Sequence, residues 1–238
     1  MISREELIYM SKVCEQAERY EDMITYIRQI ALMEQELSAE ERNLFIFPYY
    51  YCVGCRKTQM RQLLHIEKRE QQKMMTNTQL LVIKKLKSKI VTELNDFCND
   101  FLSIVDNQLS RQDISNETYC VFSRFKYLYM QHKIDYLEDE EEKTMAIKLT
   151  KLQYEQTYEK VRKLLKARNL LRLQIGLDFS NFVYEVLNDN KKSCEISNEI
   201  LMEARNDVNI EEDLGEKKQI ESVISLIEEN QNLINQQL

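Results

Sequence analysis

Glycine and proline are nearly missing from this chain: three glycines and one proline in 238 residues, where ordinary globular composition carries about 7% and 5%. Tight turns and hairpins rely on both residues. Their scarcity excludes a strand-rich fold and points to an all-α one. No run of about 18 apolar residues occurs, so no segment is expected to span a membrane. The opening stretch, MISREELIYM, lacks the apolar core of a signal peptide. Positive charge is also in deficit, at 33 Lys and Arg against 40 Asp and Glu, for a net charge of −7. Nonspecific nucleic-acid binding runs on cations that neutralise phosphates, so a nucleic-acid partner is not expected. There is no glycine-rich phosphate loop, no G-x-S-x-G and no H-E-x-x-H, which removes the usual signatures of a nucleotide-binding or hydrolytic enzyme.

Six cysteines are present without secretory features, and they read as reduced thiols in a cytoplasmic protein. Cys52 and Cys55 have C-x-x-C spacing, the best case for an enzyme. A redox dithiol normally follows a strand in a βαβ unit, and no segment here reads as a strand. His65 and His132 are isolated and Cys14, Cys98, Cys120 and Cys194 are scattered, so no second ligand pair completes a zinc site. No metal or cofactor is expected, and the two thiols read as helical neighbours one turn apart.

What the chain does have is helical periodicity. Leu94, Phe97, Cys98, Phe101, Leu102, Val105 and Leu109 step by threes and fours onto one stripe. Phe179, Phe182, Val183, Val186 and Leu187 repeat the pattern, as do Ile220, Val223, Ile224, Ile227 and Ile234. Ser3 with Glu6 and Ser38 with Glu41 have capping-box spacing, so helices are expected to start there. Breaks fall near residues 17–20, 34–38, 69–77, 109–116, 138–144, 166–169, 188–191 and 207–216, which gives about nine helices. The acidic run EDEEEK at 138–143 reads as a solvated loop between helices. Short links favour one continuous domain over 1–238.

Two early stretches carry a resemblance: EQAERYEDM at 15–23 and ELSAEERNLF at 36–45. With VGCRK at 53–57, ELNDFCNDFLS at 93–103 and GLDFSNFVYEVLN at 176–188, they are similar to the 14-3-3 family of dimeric phosphopeptide-binding adaptors. The match runs over nearly the whole chain and is weakest over 110–170. It implies nine antiparallel helices in a cup, paired through the N-terminal helices, with no catalytic activity. Residues 1–34 with 74–108 would form the dimerisation region; 38–68, 113–136, 168–187 and 216–235 would line a peptide groove.

The resemblance places the dimer contacts at Arg19 and Asp22 on the first helices and at Lys89 and Glu93 on the fourth. Val13 and Ala17 take the apolar positions, and Leu86 stands where an aromatic is usual. In the groove, a Lys and an Arg of the third helix correspond to Tyr50 and Lys57, with Arg61 one turn further on. An Arg-Tyr pair of the fifth helix aligns with Asp135 and Tyr136. The ligand-holding Asn of the seventh helix aligns with Asp178, the Glu with Glu185, and a second Asn with Asn230. Leu177 and Leu226 fit positions that touch ligand side chains, while Asn181 and Ser222 replace apolar residues. Pro48, inside the third helix, is expected to kink or break it and re-aim Tyr50.

These departures bear on phosphate. A phosphoserine carries close to two negative charges and is best held by bidentate arginine. A like charge near 5 Å costs on the order of 3 kcal/mol at an effective dielectric of about 20. With two cations gone and Asp135 and Asp178 added, the expectation is an adaptor that binds partner peptides with phosphate recognition weakened or lost. Two other readings stay open: a conventional phosphoserine-dependent adaptor, with Lys126 or Lys133 filling the gap, and a structural subunit that heterodimerises with a competent paralogue. The partners expected are protein or peptide ligands and a second copy of the chain or a paralogue, with no membrane.

Overall fold

The computed structural model describes residues 2–71, 76–207 and 214–236. Among them are nine helices and no strand: α1 (Arg4–Gln16), α2 (Tyr20–Ala31), α3 (Ala39–Gln71), α4 (Asn77–Leu109), α5 (Asn116–Ile134), α6 (Glu140–Leu164), α7 (Leu170–Glu185), α8 (Asn190–Asn206) and α9 (Leu214–Asn235). The all-helical expectation holds. So do both capping boxes: Glu6 N–H donates to Ser3 Oγ at 3.2 Å while Ser3 N–H donates to Glu6 at 2.7 Å. At the second, Glu41 N–H donates to Ser38 Oγ at 3.3 Å and Ser38 N–H returns to Glu41 at 2.8 Å. Each box satisfies two backbone donors that the first turn of a helix leaves unpaired. The acidic run at 138–143 does the same kind of work. Asp139 accepts from Glu142 N–H at 2.7 Å, and Glu140, Glu141 and Glu142 sit in the first turn of α6, where the helix dipole favours negative charge.

The chain forms two compact units, Met1–Ile114 and Ser115–Leu238. In the first, α1 to α4 pack around Met23, Ile27, Ile30, Phe45, Tyr49, Leu94, Cys98 and Phe101, all buried. Phe45 stacks on Phe101 with centroids 5.1 Å apart, and the Tyr49 hydroxyl donates to Asp100. Gln108 Nε2 donates to the Ala31 carbonyl at 2.6 Å, closing the end of α2 onto α4. Pro48 does not break α3. The helix runs unbroken through it, and Pro48 is buried. Its missing N–H leaves the Leu44 carbonyl without the usual helical donor.

In the second unit, Tyr154 of α6 meets Phe179 and Phe182 of α7 at 5.5 and 5.1 Å. Gly176 lets α7 approach its neighbours closely: a Cβ there would lie 2.6 Å from Ile200 Cδ1 of α8 and 3.2 Å from Tyr158 Cε2 of α6. Arg172 donates to the carbonyls of Arg162 and Leu165 at 3.1 and 2.8 Å, which closes the open end of α6.

Candidate functional site

In the first unit, the third-helix candidates stand on one helix. Tyr50 is 62% exposed, Lys57 is half-buried and Arg61 exposed. Steps of seven and four place them along one face of α3. Arg61 Nη2 donates to Thr58 Oγ1 at 3.2 Å.

The candidate dimer residues lie on α1, α2, α4 and the α1–α2 link. Val13 is 45% exposed and Leu86 44%, high values for apolar side chains, and Ala17 is exposed too. The charges already have partners inside the chain. Arg19 pairs with Asp22, Lys89 lies 3.8 Å from Glu93, and Glu93 also accepts from Arg56 Nε at 3.1 Å. Arg56 in turn reaches Glu21 at 2.6 Å.

In the second unit, a polar row runs along α7. Gln174, Asp178, Asn181 and Glu185 follow steps of four, three and four, so they share a face. Arg124 of α5 donates through Nε to Asp178 at 2.6 Å and through Nη1 to Gln174 at 2.6 Å. Gln131 Nε2 of α5 lies 3.5 Å from Glu185 Oε2. On the other side, Asn230 Nδ2 of α9 donates to Asn181 Oδ1 at 3.2 Å. Burial pushes the Asp178 carboxyl above the ordinary aspartate range, and the attraction of Arg124 offsets only part of that. Ser222 and Leu226 are exposed on α9, one turn apart. Leu177, a candidate ligand contact, is only 7% exposed and belongs to the unit's core.

The candidate pair Asp135 and Tyr136 stands at the very end of the fifth helix. The α5 helix ends at Ile134 and Asp135 is its C-cap. Tyr136 and Leu137 follow with N–H groups turned back to the Lys133 and Ile134 carbonyls at 3.1 and 3.3 Å. These tighter bonds are the usual way a helix closes its last turn. A new helix starts at once behind the Asp139 cap, so the break opens at 135, three residues before its expected start at 138. The α5 residues seen to bond to α7 are Arg124 and Gln131. Neither was singled out from the sequence. The signal was available, since Arg124 and Gln131 are seven apart, as Asp178 and Glu185 are, and two matched rows of that spacing can face each other.

The field expected at Asp178 also changes. Arg124 neutralises this carboxylate, so it is one half of a tight ion pair and not a lone negative charge. As for the C-x-x-C pair, Cys52 is buried and Cys55 half-buried. Desolvation pushes the Cys52 thiol up to about 12, which suits an inert thiol and not a nucleophile. Among the described residues, no three His, Cys, Asp or Glu side chains cluster as metal ligands would. None of the helices described is long and apolar enough to cross a membrane.

Helix order, caps and a polar row shared by α5, α7 and α9 define the class of all-helical proteins. Comparison with known proteins narrows it. A family model described as 14-3-3 protein matches residues 10–234. The chain is 37% identical over 205 residues to 14-3-3 protein 2 of Entamoeba histolytica, covering 86% of this chain and 84% of that one. It is 33% identical over 197 residues to a 14-3-3-like protein of Fucus vesiculosus, covering 83% and 76%. It is 32% identical over 203 residues to Protein BMH2 of Saccharomyces cerevisiae, covering 85% and 74%. The chain belongs to the 14-3-3 family. Proteins of this family are adaptors that bind protein partners and form dimers, and they are not enzymes.

Proposed function

We propose that this chain is a dimeric, cytoplasmic adaptor, acting as a single domain, whose groove binds partner peptides with little dependence on phosphate. One observation carries the reading: Arg124, the cation that α5 turns toward α7, is already held by Asp178 at 2.6 Å. A phosphate drawing on Arg124 must displace a carboxylate that is half of a tightly hydrogen-bonded pair, and it meets that carboxylate's charge in doing so. Within the first unit, Tyr50 in place of a cation leaves Lys57 and Arg61 as the cations on that face of α3. Asn181, Glu185, Asn230, Ser222 and Leu226 supply polar and apolar contacts for a peptide backbone and its side chains. Asp135 and Tyr136, at the end of α5, have no part assigned by this reading.

Dimerisation runs through Val13, Ala17 and Leu86, with Arg19, Asp22, Lys89 and Glu93 setting register. Because those charges are paired within the protomer, association exchanges one set of ion pairs for another, and exposed pairs are worth little each. Apolar burial then drives the dimer.

The test is a fluorescence-polarisation titration of an Arg-Ser-x-phosphoSer-x-Pro peptide library against its unphosphorylated counterpart. The expected difference in Kd is below about tenfold, or about 1.4 kcal/mol. A dependence of about a hundredfold or more on the phosphate overturns the reading in favour of a conventional phosphoserine adaptor.

A further inference from the structure

Most serine hydroxyls of this chain are occupied. Ser3, Ser38 and Ser115 cap helices; Ser11, Ser110, Ser180 and Ser193 donate to backbone carbonyls; Ser123 and Ser197 are buried. Ser88, Ser103, Ser222 and Ser225 stay exposed on helices. Acids flank three of these: Asp100 and Asp106 at Ser103, Glu221 and Glu228 at Ser222 and Ser225. Ser88 differs. It lies in Lys84-Lys85-Leu86-Lys87-Ser88-Lys89, and no acid occurs between Glu70 and Glu93. Lys84 and Lys85 are exposed and form no ion pair among the described residues. Lys87 pairs with Glu67 at 2.9 Å, and Lys89 lies 3.8 Å from Glu93. Lys191-Lys192-Ser193 repeats part of the pattern, but Ser193 is wholly buried, its hydroxyl donating to the Ser180 carbonyl at 2.8 Å.

We propose that Ser88 is a phosphorylation site for a lysine- and arginine-directed protein kinase, reached by local opening of the first turns of α4. The lysines on both sides of Ser88 complement an acidic substrate cleft. The serine oxygen must come in line with the transferred phosphoryl group, which a residue held within a helix cannot do until that helix opens. The free energy of local opening follows the apolar surface it uncovers. Here that surface is small, because Ile83 is the one buried residue between 77 and 89. Opening otherwise releases the Thr76–Gln79 capping box and the Glu67–Lys87 pair. Ser88 Oγ then attacks the γ-phosphorus of the nucleoside triphosphate that the kinase brings. The bond to the β-phosphate breaks, the nucleoside diphosphate leaves, and the hydroxyl proton passes to the kinase's base. On reclosing, the phosphate carries close to two negative charges one turn from Lys84 and Lys85, which pair with it. Lys89 is also one of the proposed dimer contacts, but the site rests neither on that reading nor on the peptide one.

The experiment incubates the full chain with magnesium ATP and the catalytic fragment of protein kinase C, with an acid-directed kinase of the casein kinase class in parallel. Tandem mass spectrometry maps the phosphate. Ser88 is expected to be the principal site of the first enzyme and to be ignored by the second. Lys84→Gln/Lys85→Gln should lower kcat/KM at this site by about tenfold, through two lost contacts with the cleft. Ile83→Ala loosens the segment and should raise it by about tenfold, a response that a serine modified without opening would not give. Circular dichroism confirms that both variants are folded. Sedimentation velocity reports association separately, so failure of the dimer reading shows in a different measurement. Absence of phosphate at Ser88 in the wild-type chain overturns the proposal, as does equal labelling by the acid-directed kinase. A rate that the lysine variant keeps in full, or that Ile83→Ala leaves unchanged, overturns it too.

Discussion

Replacing Asp178 with Asn tests the proposed loss of phosphate reading at its physical origin. The substitution keeps the side-chain shape and an oxygen that can accept from Arg124 Nε, and it removes the charge that holds the guanidinium. A phosphate about 6 Å from that carboxylate meets a repulsion of about 3 kcal/mol per unit charge at an effective dielectric near 20. Screening at a Debye length of about 8 Å roughly halves this. For a phosphate carrying close to two charges, the expected gain for Asp178→Asn is therefore about 2.7 kcal/mol, on the order of a hundredfold tighter Kd for the phosphorylated peptide. The unphosphorylated peptide should change by less than about twofold, since it brings no like charge to the site. Polarisation titrations of both peptides against both proteins give the comparison. Equal affinities of wild type and variant for the phosphopeptide, with the variant folded, would refute the argument that Asp178 sequesters Arg124.

The same substitution makes a prediction about stability, and its sign can be worked out. Burial raises the folded-state pKa of Asp178 above its unfolded value, despite Arg124. The folded protein then binds this proton more tightly than the unfolded chain does. The stability that comes from this is fully present below the unfolded pKa and is lost as pH rises through the folded one. Asparagine does not titrate. The difference in Tm, variant minus wild type, should therefore become more positive as pH climbs out of the ordinary aspartate range. At neutral pH, lost attraction and relieved desolvation oppose each other, and the net change should stay within about 1 kcal/mol.

Four other substitutions probe the scaffold. Glu41 is buried, accepts from Arg4 Nε and Nη2 at 2.7 and 2.8 Å, and has its pKa lowered chiefly by those bonds; Glu41→Gln should cost about 2 kcal/mol at neutral pH, and denaturant titrations should show that cost shrinking as pH falls through the folded pKa of Glu41. Gly176→Ala should lower stability by about 1 kcal/mol, because crowding against Ile200 and Tyr158 outweighs the better helix propensity of alanine; a higher Tm would show that α7 and α8 have room to part. Leu86→Asp should convert the dimer to monomer in sedimentation velocity, whereas Arg19→Ala, which removes an exposed and internally paired charge, should leave it largely intact; the reverse ranking would make charge and not apolar burial the driver.

The helical scaffold was legible because its signals are local. The Ser3 and Ser38 caps, the three-and-four spacing of apolar residues and the scarcity of glycine act within one or two turns, and tertiary packing only reinforces them. The end of α5 was harder to place. Its last turn carries no glycine stop, and Asp135-Tyr136-Leu137 continues an apolar pattern that a helix can accept. What ends it is competition from the next helix, whose cap at Asp139 and acidic first turn recruit the residues just after Ile134 into the link. Pro48 is the opposite case. A proline inside a helix is read as a break, but here the flanking residues Phe45, Ile46 and Tyr49 are buried, and their packing against α4 outweighs the backbone bond that proline forgoes.

The candidate site shows where residue-by-residue carry-over falls short. Asp178 taken alone puts a negative charge where the family resemblance expects a neutral amide, and that much is visible in one letter of sequence. Whether the new charge acts on a ligand depends on what lies across from it. Arg124 answers that question, and it sits 54 residues away on another helix. An arginine on a helix face is most often solvated, so nothing local distinguishes it. The distinguishing feature is the repeated interval: Arg124 and Gln131 on α5 meet Asp178 and Glu185 on α7. A substitution that introduces a buried charge carries a large desolvation cost unless an opposite charge accompanies it. The carboxylate at 178 therefore implies a cation within reach, and the physical question to put to a charge introduced at a candidate binding position is which partner makes it tolerable. Here the partner that stabilises the added charge is also the cation that the proposed reading takes a phosphate to need, so a single pair would account both for the survival of Asp178 in the fold and for the weak phosphate reading proposed.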